Sequence, residues 1–532
     1  MSTHFKWYPS SEEETVPWFA RYQFPSQANK SVKMTPRIPP KGGNEYRPGQ
    51  VIRLEFPAQG YVNPLNTTLE FDVTISGVTG ESNSTNAEYI VRFQNNIQSI
   101  FSRVRLLYGS TPIEDMDKYN VLVRLLTEWT STNQHMSIDQ TSIAEGIGGV
   151  VPGFGVGANR GYVNVRQRYI QGVGHSTAAG ATESAGFGKV PQSTGKPPIS
   201  IVGNSTTRRY QVNLALGLMT QDKLIPTKWM ASQLAIEITL APAAECLYMP
   251  LRGSSIVGTP TYTVTDVNLI PEVLEFDASY DAMFLKGLQT GGVPIKISSW
   301  HVSTFSSASS SRLNLQVQEA SRSVKAIFAI QRRAQSDITV DSHAAHFDTS
   351  NDGQSCLKEA QYRIGARYFP ASPMQGATSS GFPISNGGCE FFLELQKALN
   401  IVGDYRLSCT TNTLKWALQS AGGFLHEYDY SKSLNLFSAN GVPSITSHET
   451  ATNSFCGDLG SACFTVATDL ETSNGVEISG LNAEEQSSIT VILNYDKPQV
   501  TGSSGVASLF EVFTYFDAML ILKENNVIDM VQ

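Results

Sequence analysis

The chain has 532 residues, 41% of them hydrophobic and only 16% charged, with a formal net charge of −8. That length exceeds one ordinary core and fits two domains, and the acidic balance excludes a chain that grips nucleic acid over its whole surface. Small polar residues and 43 Gly suit a β-rich protein with long polar loops.

The opening MSTHFKWYPSSEEE lacks the basic-then-apolar layout of a secretory signal. No run of about 18 apolar residues occurs, so the expectation is synthesis in a reducing compartment without a membrane span. The sequons at Asn29, Asn66, Asn83 and Asn204 are then chance matches, because glycosylation requires secretion. Six cysteines (Cys246, Cys356, Cys389, Cys409, Cys456 and Cys463) show no CxxC and no regular spacing. That favours reduced thiols over a disulfide framework or a zinc site.

Residues 1–47 hold scattered prolines and aromatics without sustained alternation, which predicts an extended N-terminal arm. From Arg21 to Arg47 the basic residues Arg21, Lys30, Lys33, Arg37, Lys41 and Arg47 meet one acid, Glu45. The arm is either a solvated tail or a basic segment facing a polyanion or an acidic partner.

Strands follow. Ile52, Leu54 and Phe56, then Leu69, Phe71, Val73 and Ile75, alternate with polar residues, as in antiparallel sheets with one buried face. Val104 to Trp129 reads as a strand, a Pro-containing turn with the acids Glu114, Asp115 and Asp117, and a helix. Leu122, Leu125, Leu126 and Trp129 form that helix's apolar stripe. Residues 130–207 lose periodicity and predict a long exposed loop. Leu234, Ile236, Ile238 and Leu240 alternate again, and a first domain is expected to close near Pro250.

The second half repeats the plan. Strands are predicted at 262–276, 293–305, 313–317, 324–330 and 362–370, with a helix carrying Phe392, Leu395 and Leu399 and further strands at 489–495 and 510–522. The last is apolar on both faces, as a central or covered strand should be. Val104-Arg105-Leu106 before Pro112 is echoed by Tyr362-Arg363-Ile364 before Pro370, and Met116 by Met374, each 258 positions on. A repeat near half the chain length means one fold used twice. The expected division is 1–47 arm, 48–250 first roll, 251–532 second roll. Many short strands with polar turns indicate an all-β chain of two eight-stranded jelly rolls in tandem.

No catalytic constellation stands out. Gly-rich 153–161 lacks the strand and helix that would make it a phosphate cradle, and Val190 and Pro197 break any P-loop ending at Gly195-Lys196. His343 and His346, flanked by Asp341 and Asp348, match no zinc spacing. Glu114, Asp115 and Asp117 fit a helix start better than an acid–base pair. No enzyme, cofactor or metal is expected.

Two segments carry a resemblance. Tyr362 to Pro370, continuing to Pro373, resembles the strand-plus-Pro segment in the second roll of double jelly-roll major capsid proteins of icosahedral DNA viruses. The nearer likeness is to polinton-like viruses and virophages. Asp469-Leu470-Glu471 and Ser479-Gly480-Leu481-Asn482 are similar to the segment before their final strands. The resemblance implies homotrimeric, pseudo-hexameric capsomers that tile the shell of a virion, made and assembled inside the host cell. It further implies contacts with neighbouring capsomers and with minor capsid or penton proteins, and at most weak contact between the basic arm and packaged DNA. The alternatives are a carbohydrate-binding β-sandwich protein and a minor capsid or receptor-binding spike.

Overall fold

The computed structural model describes residues 31–79, 89–93, 97–130, 151–152, 162–163, 172–175, 206–252, 257–290, 292–307, 310–319, 321–333, 357–376, 389–401, 428–429, 454–455, 465–471, 479–484, 488–495, 508–523 and 528–531. Period-two stretches become strands because alternate side chains leave opposite faces of the pleat, so one row can be buried while the other stays wet. In the first half these are β1 (Ser31–Met34), β2 (Val51–Glu55), β3 (Tyr61–Thr79), β4 (Phe101–Tyr108) and β5 (Thr111–Asp117), followed by helix α1 (Tyr119–Thr130). Then come β6 (Thr206–Val212), the short helix α2 (Gly217–Thr220), β7 (Leu234–Leu240) and β8 (Val257–Phe276). They form two antiparallel sheets ordered β1-β8-β3-β6 and β2-β7-β4-β5.

After helix α3 (Ala278–Thr290) the second half supplies β9 (Val293–Ser307), β10 (Arg312–Val317), β11 (Val324–Arg333), β12 (Leu357–Ile364) and β13 (Arg367–Gln375). Helix α4 (Cys389–Ala398), β14 (Val466–Asp469), β15 (Ile489–Tyr495) and β16 (Ser508–Leu522) complete it. Its sheets run β9-β16-β11-β14 and β10-β15-β12-β13. Adding eight to every strand number of the first half gives the second, so the duplication read from the sequence is a duplication of topology. Outside this plan, Glu45–Tyr46 pairs with β8 and Ile528–Val531 with β16. Tyr89–Phe93 pairs with both Gly172–His175 and Leu247–Arg252.

Three expectations change. Residues 31–47 are not an arm throughout: β1, Ile38 and Glu45–Tyr46 pair in succession along β8 and form the first edge strand of the first roll. The strand assigned beyond a boundary at Pro250 belongs to the first half, since β8 is hydrogen-bonded along β3 from Val257 to Leu274. The echo is also partly out of register. The tight turns are Gly109-Ser110 and Gly365-Ala366, whose glycines adopt φ of 62° and 59°, a left-handed conformation that costs glycine little. These turns lie 256 positions apart (109 to 365), so Pro112 and Pro370 are not equivalent. Irregularities in both hairpins restore the larger spacing, and Met116 opposite Val104 matches Met374 opposite Ala360.

Ile52, Leu54, Phe71, Val104, Leu106, Ile236 and Ile238 fill the first roll, and Leu315, Val317, Ile327, Tyr362, Val491 and Val512 the second; all are buried. Each core includes a tyrosine whose hydroxyl donates to a backbone carbonyl, Tyr262 to Ala241 and Tyr362 to Val466, which satisfies the polar tip of a buried ring. Strand β16 is buried on both faces, with Phe510, Val512 and Phe516 on one and Glu511, Phe513 and Asp517 on the other. The first roll covers part of the second face.

Candidate functional site: the seam between the rolls

The acidic run after the first hairpin is strand, not helix start, and α1 has no acid in its first turn. Glu114 points into the contact with the second roll and is 3% exposed. Its Oε2 accepts from Gly217 N at 2.7 Å and from Ser299 Oγ at 2.9 Å, and its Oε1 accepts from Leu218 N at 2.8 Å. One carboxylate thus ties β5 and α2 of the first roll to β9 of the second. Burial pushes this carboxyl above the usual glutamate range, and the two backbone N–H bonds and the Ser299 bond pull it back.

Gly217 is required here for space. A Cβ on it would lie 2.3 Å from Ser298 O, so only glycine lets the first roll close onto the outer edge of β9. Behind it, the Trp129 ring of α1 stacks on Phe328 of β11 with centroids 4.6 Å apart, and Trp300 and Tyr515 stack beside them at 4.5 Å. Further along, Arg332 and Glu511 form a bidentate pair with both side chains at most 1% exposed. Glu245 of the first roll lies within their field: burial raises its carboxyl, Lys118 and Arg332 lower it, and Glu511 and Asp117 raise it. Buried charge of this kind persists only when paired.

At the margin of the seam, His301 Nδ1 sits 3.2 Å from Glu319 Oε2. That carboxylate oxygen is buried and makes no hydrogen bond until the imidazole nitrogen carries a proton. Glu319 holds the imidazole above its ordinary value against the opposing effect of burial, with a smaller contribution from Asp115 across the seam. Asp115 itself pairs with Arg103 at the surface, at 2.5 Å.

The motif 469–471 with 479–482 is structural. Glu471 accepts from Ser479 Oγ and Asn400 Nδ2, both at 2.9 Å, and pairs with Lys325 at 2.8 Å. Leu481 exchanges two 2.8 Å backbone bonds with Val324 at the start of β11, and Ile225 does the same with Val62 in the first roll. The motif therefore closes the same connection that the first roll closes with different residues.

The basic residues of the N-terminal segment are occupied within the chain. Lys33 pairs with Glu272, Arg37 with Glu70 at 2.7 Å, Lys41 with Glu55 at 2.5 Å and Arg47 with Glu45 at 3.4 Å. Arg21 and Lys30 lie outside the described residues, as do 153–161, Gly195-Lys196, the His343 and His346 stretch and most of 130–207. Among the described residues no cluster of His, Cys, Asp and Glu could hold a metal. Cys246 is a buried free thiol, pushed up by burial. The Asn66 amide of one sequon is engaged by Glu272 at 3.1 Å. No described helix is long and apolar enough to cross a membrane.

Sequence reasoning missed Gly217, Ser299, Phe328, Arg332 and Glu511. One signal was available, the charge at Glu511 inside a strand apolar on both faces.

No protein-family model matches the sequence, and no curated protein is similar to it in sequence. Solved structures do match in fold. The chain is similar to the Faustovirus major capsid protein, with TM-score 0.52 and 8% identity, covering 96% of this chain and 93% of that one. It is similar to a chain of the Sputnik virophage, with TM-score 0.51 and 10% identity over 98% and 92%. It is also similar to the mavirus major capsid protein, with TM-score 0.50 and 9% identity over 99% and 95%. At such identities the likeness is one of fold, and it spans both halves: the chain is a double jelly roll.

Proposed function

We propose that the protein is a major capsid protein, a structural building block whose homotrimers form pseudo-hexameric capsomers in the shell of an icosahedral DNA virus. The observation that carries this reading is the pair of topologically identical rolls locked by one buried seam. That arrangement has the fold of the Faustovirus and mavirus capsid proteins along nearly their whole length. The Glu114–Ser299 bond and the Trp129–Phe328 stack cross that seam and make the two rolls one rigid brick, as tiling requires. On this reading the first roll runs from Ser31 to Phe276 and the second from Ala278 onward. The protein resides in the virion after assembly inside the host cell, and it meets neighbouring capsomers and minor or penton proteins.

Contact with packaged DNA is at most weak. Four of the six basic residues first assigned to the arm are neutralised by carboxylates of their own chain, which leaves Arg21 and Lys30.

Native mass spectrometry of the purified chain tests the reading. Three chain masses of 57.9 kDa each are expected, and a monomer at high protein concentration overturns it. Stoichiometry in isolated particles separates a shell protein, which dominates the particle mass, from a spike, which does not.

A further inference from the structure

Helix α3 joins the two rolls and is anchored to the first. Asp277 caps its start, with Oδ1 accepting from Ser279 Oγ at 2.8 Å and from Tyr280 N at 3.2 Å. Tyr61 of β3 lies beneath it. That ring meets Phe276, Tyr280 and Phe284 edge-on, with centroids 5.3, 5.4 and 5.5 Å apart. Its hydroxyl donates to Asp281 Oδ1 at 3.0 Å and accepts from Trp229 Nε1 at 2.9 Å, and Lys228 pairs with the same carboxylate.

Tyr280, Phe284 and Leu288 recur every four residues and form the inward side, on which Leu288 is buried. The rest of the helix is not polar in compensation: Ala278, Ala282, Met283 and Leu285 are all exposed. Met283, at 67%, is the most exposed large apolar side chain among the described residues, and Leu285 is 39% exposed. A helix with apolar groups on every side is a covered helix, and exposed apolar groups gathered on one element mark a contact surface.

The chain supplies a cover at this place. Strand β1 runs antiparallel to β8, and its first residue, Ser31, lies opposite Phe276, two residues before α3 begins. Residues 1–30, which lie outside the described residues, therefore join the first roll at the end where α3 starts. They carry seven aromatic residues, among them Trp18, Phe19, Tyr22 and Phe24. Their three basic residues, Lys6, Arg21 and Lys30, are balanced by Glu12, Glu13 and Glu14, so the segment has the composition of an apolar cover rather than of a ligand for a polyanion. The reach suffices: the stretch from Trp18 to Ser31 can span up to about 40 Å, and α3 is about 20 Å long.

We propose that residues 1–30 lie over α3 of their own chain, with the aromatic residues of 18–24 covering Met283 and Leu285. The proposal does not rest on the capsid reading and is tested in whatever oligomeric state the chain adopts.

Two measurements on the full chain test it. A p-benzoylphenylalanine placed at position 283, in a mixture of isotope-labelled and unlabelled copies, should photocross-link to residues 18–24 within one chain. Mixed-isotope products assign the cover to a second copy and overturn the proposal, as does the absence of any cross-link to residues 1–30. In the second measurement, Met283→Gln with Leu285→Gln should melt with the wild type, because both side chains project outward, yet trypsin should cut after Arg21 about tenfold faster, since cleavage follows the population of the undocked segment. Val51→Gln, equally exposed but on β2 of the other sheet, should leave that rate unchanged. Equal cleavage rates in all three proteins overturn the proposal.

Discussion

Glu114 is the residue whose replacement reports most directly on the seam. Replacing it by Ala strands three donors, the N–H groups of Gly217 and Leu218 and the hydroxyl of Ser299. A buried donor left without an acceptor costs about 1–3 kcal/mol. The Ser299 hydroxyl can rotate away, but the two backbone groups cannot. Removing a carboxylate that burial already disfavours returns part of the loss. The net expected cost is about 3–4 kcal/mol, or about 10 °C in the melting of a roll this size. Glu114→Gln should cost less than Ala, about 2 kcal/mol, because its oxygen placed at the Oε2 position still accepts from Gly217 and Ser299, while its NH2 faces the Leu218 N–H and leaves donors on that side unpaired.

The pH dependence follows from the raised carboxyl. The folded state binds the proton more tightly than the unfolded chain, so this group's contribution is largest below the ordinary glutamate value of 4.5 and is lost as pH rises through the folded value. The wild type should therefore gain on E114Q as pH falls from neutral, until the rest of the protein acid-denatures. Calorimetric melts of the wild type and both variants across that range decide the matter. If Glu114→Ala costs under about 1 kcal/mol, or if Gln is as harmful as Ala, the carboxylate does not anchor the rolls.

Three other changes probe the same seam. Trp129→Ala should cost about 3–5 kcal/mol through the cavity it leaves, measured by urea unfolding, and should be less than additive with Phe328→Ala because the two rings share one stack. Arg332→Met leaves Glu511 buried and unpaired and should cost about 3–5 kcal/mol, whereas Asp115→Asn at the exposed Arg103 pair should cost about 1 kcal/mol or less. The stabilisation from His301 is present in full below the ordinary histidine value of 6.5 and is lost as pH rises through its raised folded value. H301Q should flatten melting temperature against pH in that window only; the ring is 48% exposed, so solvent screening keeps the effect small.

What was legible in the sequence was whatever rests on short-range periodicity. Alternation at Ile52 to Phe56 and at Leu234 to Leu240 reports a strand with one dry face, and the α1 stripe from Leu122 to Trp129 reports a helix. Pairing partners were not legible. β8 looked like the start of a new domain because it follows Pro250 and a polar stretch, yet its mate is β3, nearly two hundred positions earlier. Nor did the N-terminal segment alternate over enough residues to be recognised as an edge strand: β1 spans four residues and buries no side chain. The acids at Glu114 and Asp115 are adjacent in sequence and have opposite fates, one anchoring the seam from inside and the other paired at the surface. Pleat direction decides that, and single-residue composition does not carry it.

The difference between the seam and the exposed edges follows from what each must endure. The internal seam is closed in the folded chain, so it can hold a stacked Trp129 and a glycine pressed against a carbonyl, beside the buried Arg332–Glu511 pair of the second roll. Surfaces that must exist free before assembly have to remain wettable. Around β1 the apolar Val32 and Met34 alternate with a Lys33 paired to Glu272, and prolines at 36, 39 and 40 blunt the edge against indiscriminate strand pairing. Around β13, Tyr368 stands beside exposed Arg367, Ala371 and Ser372. A duplicated fold can thus give equivalent positions opposite surroundings, a dry seam in one place and a wettable edge in the other.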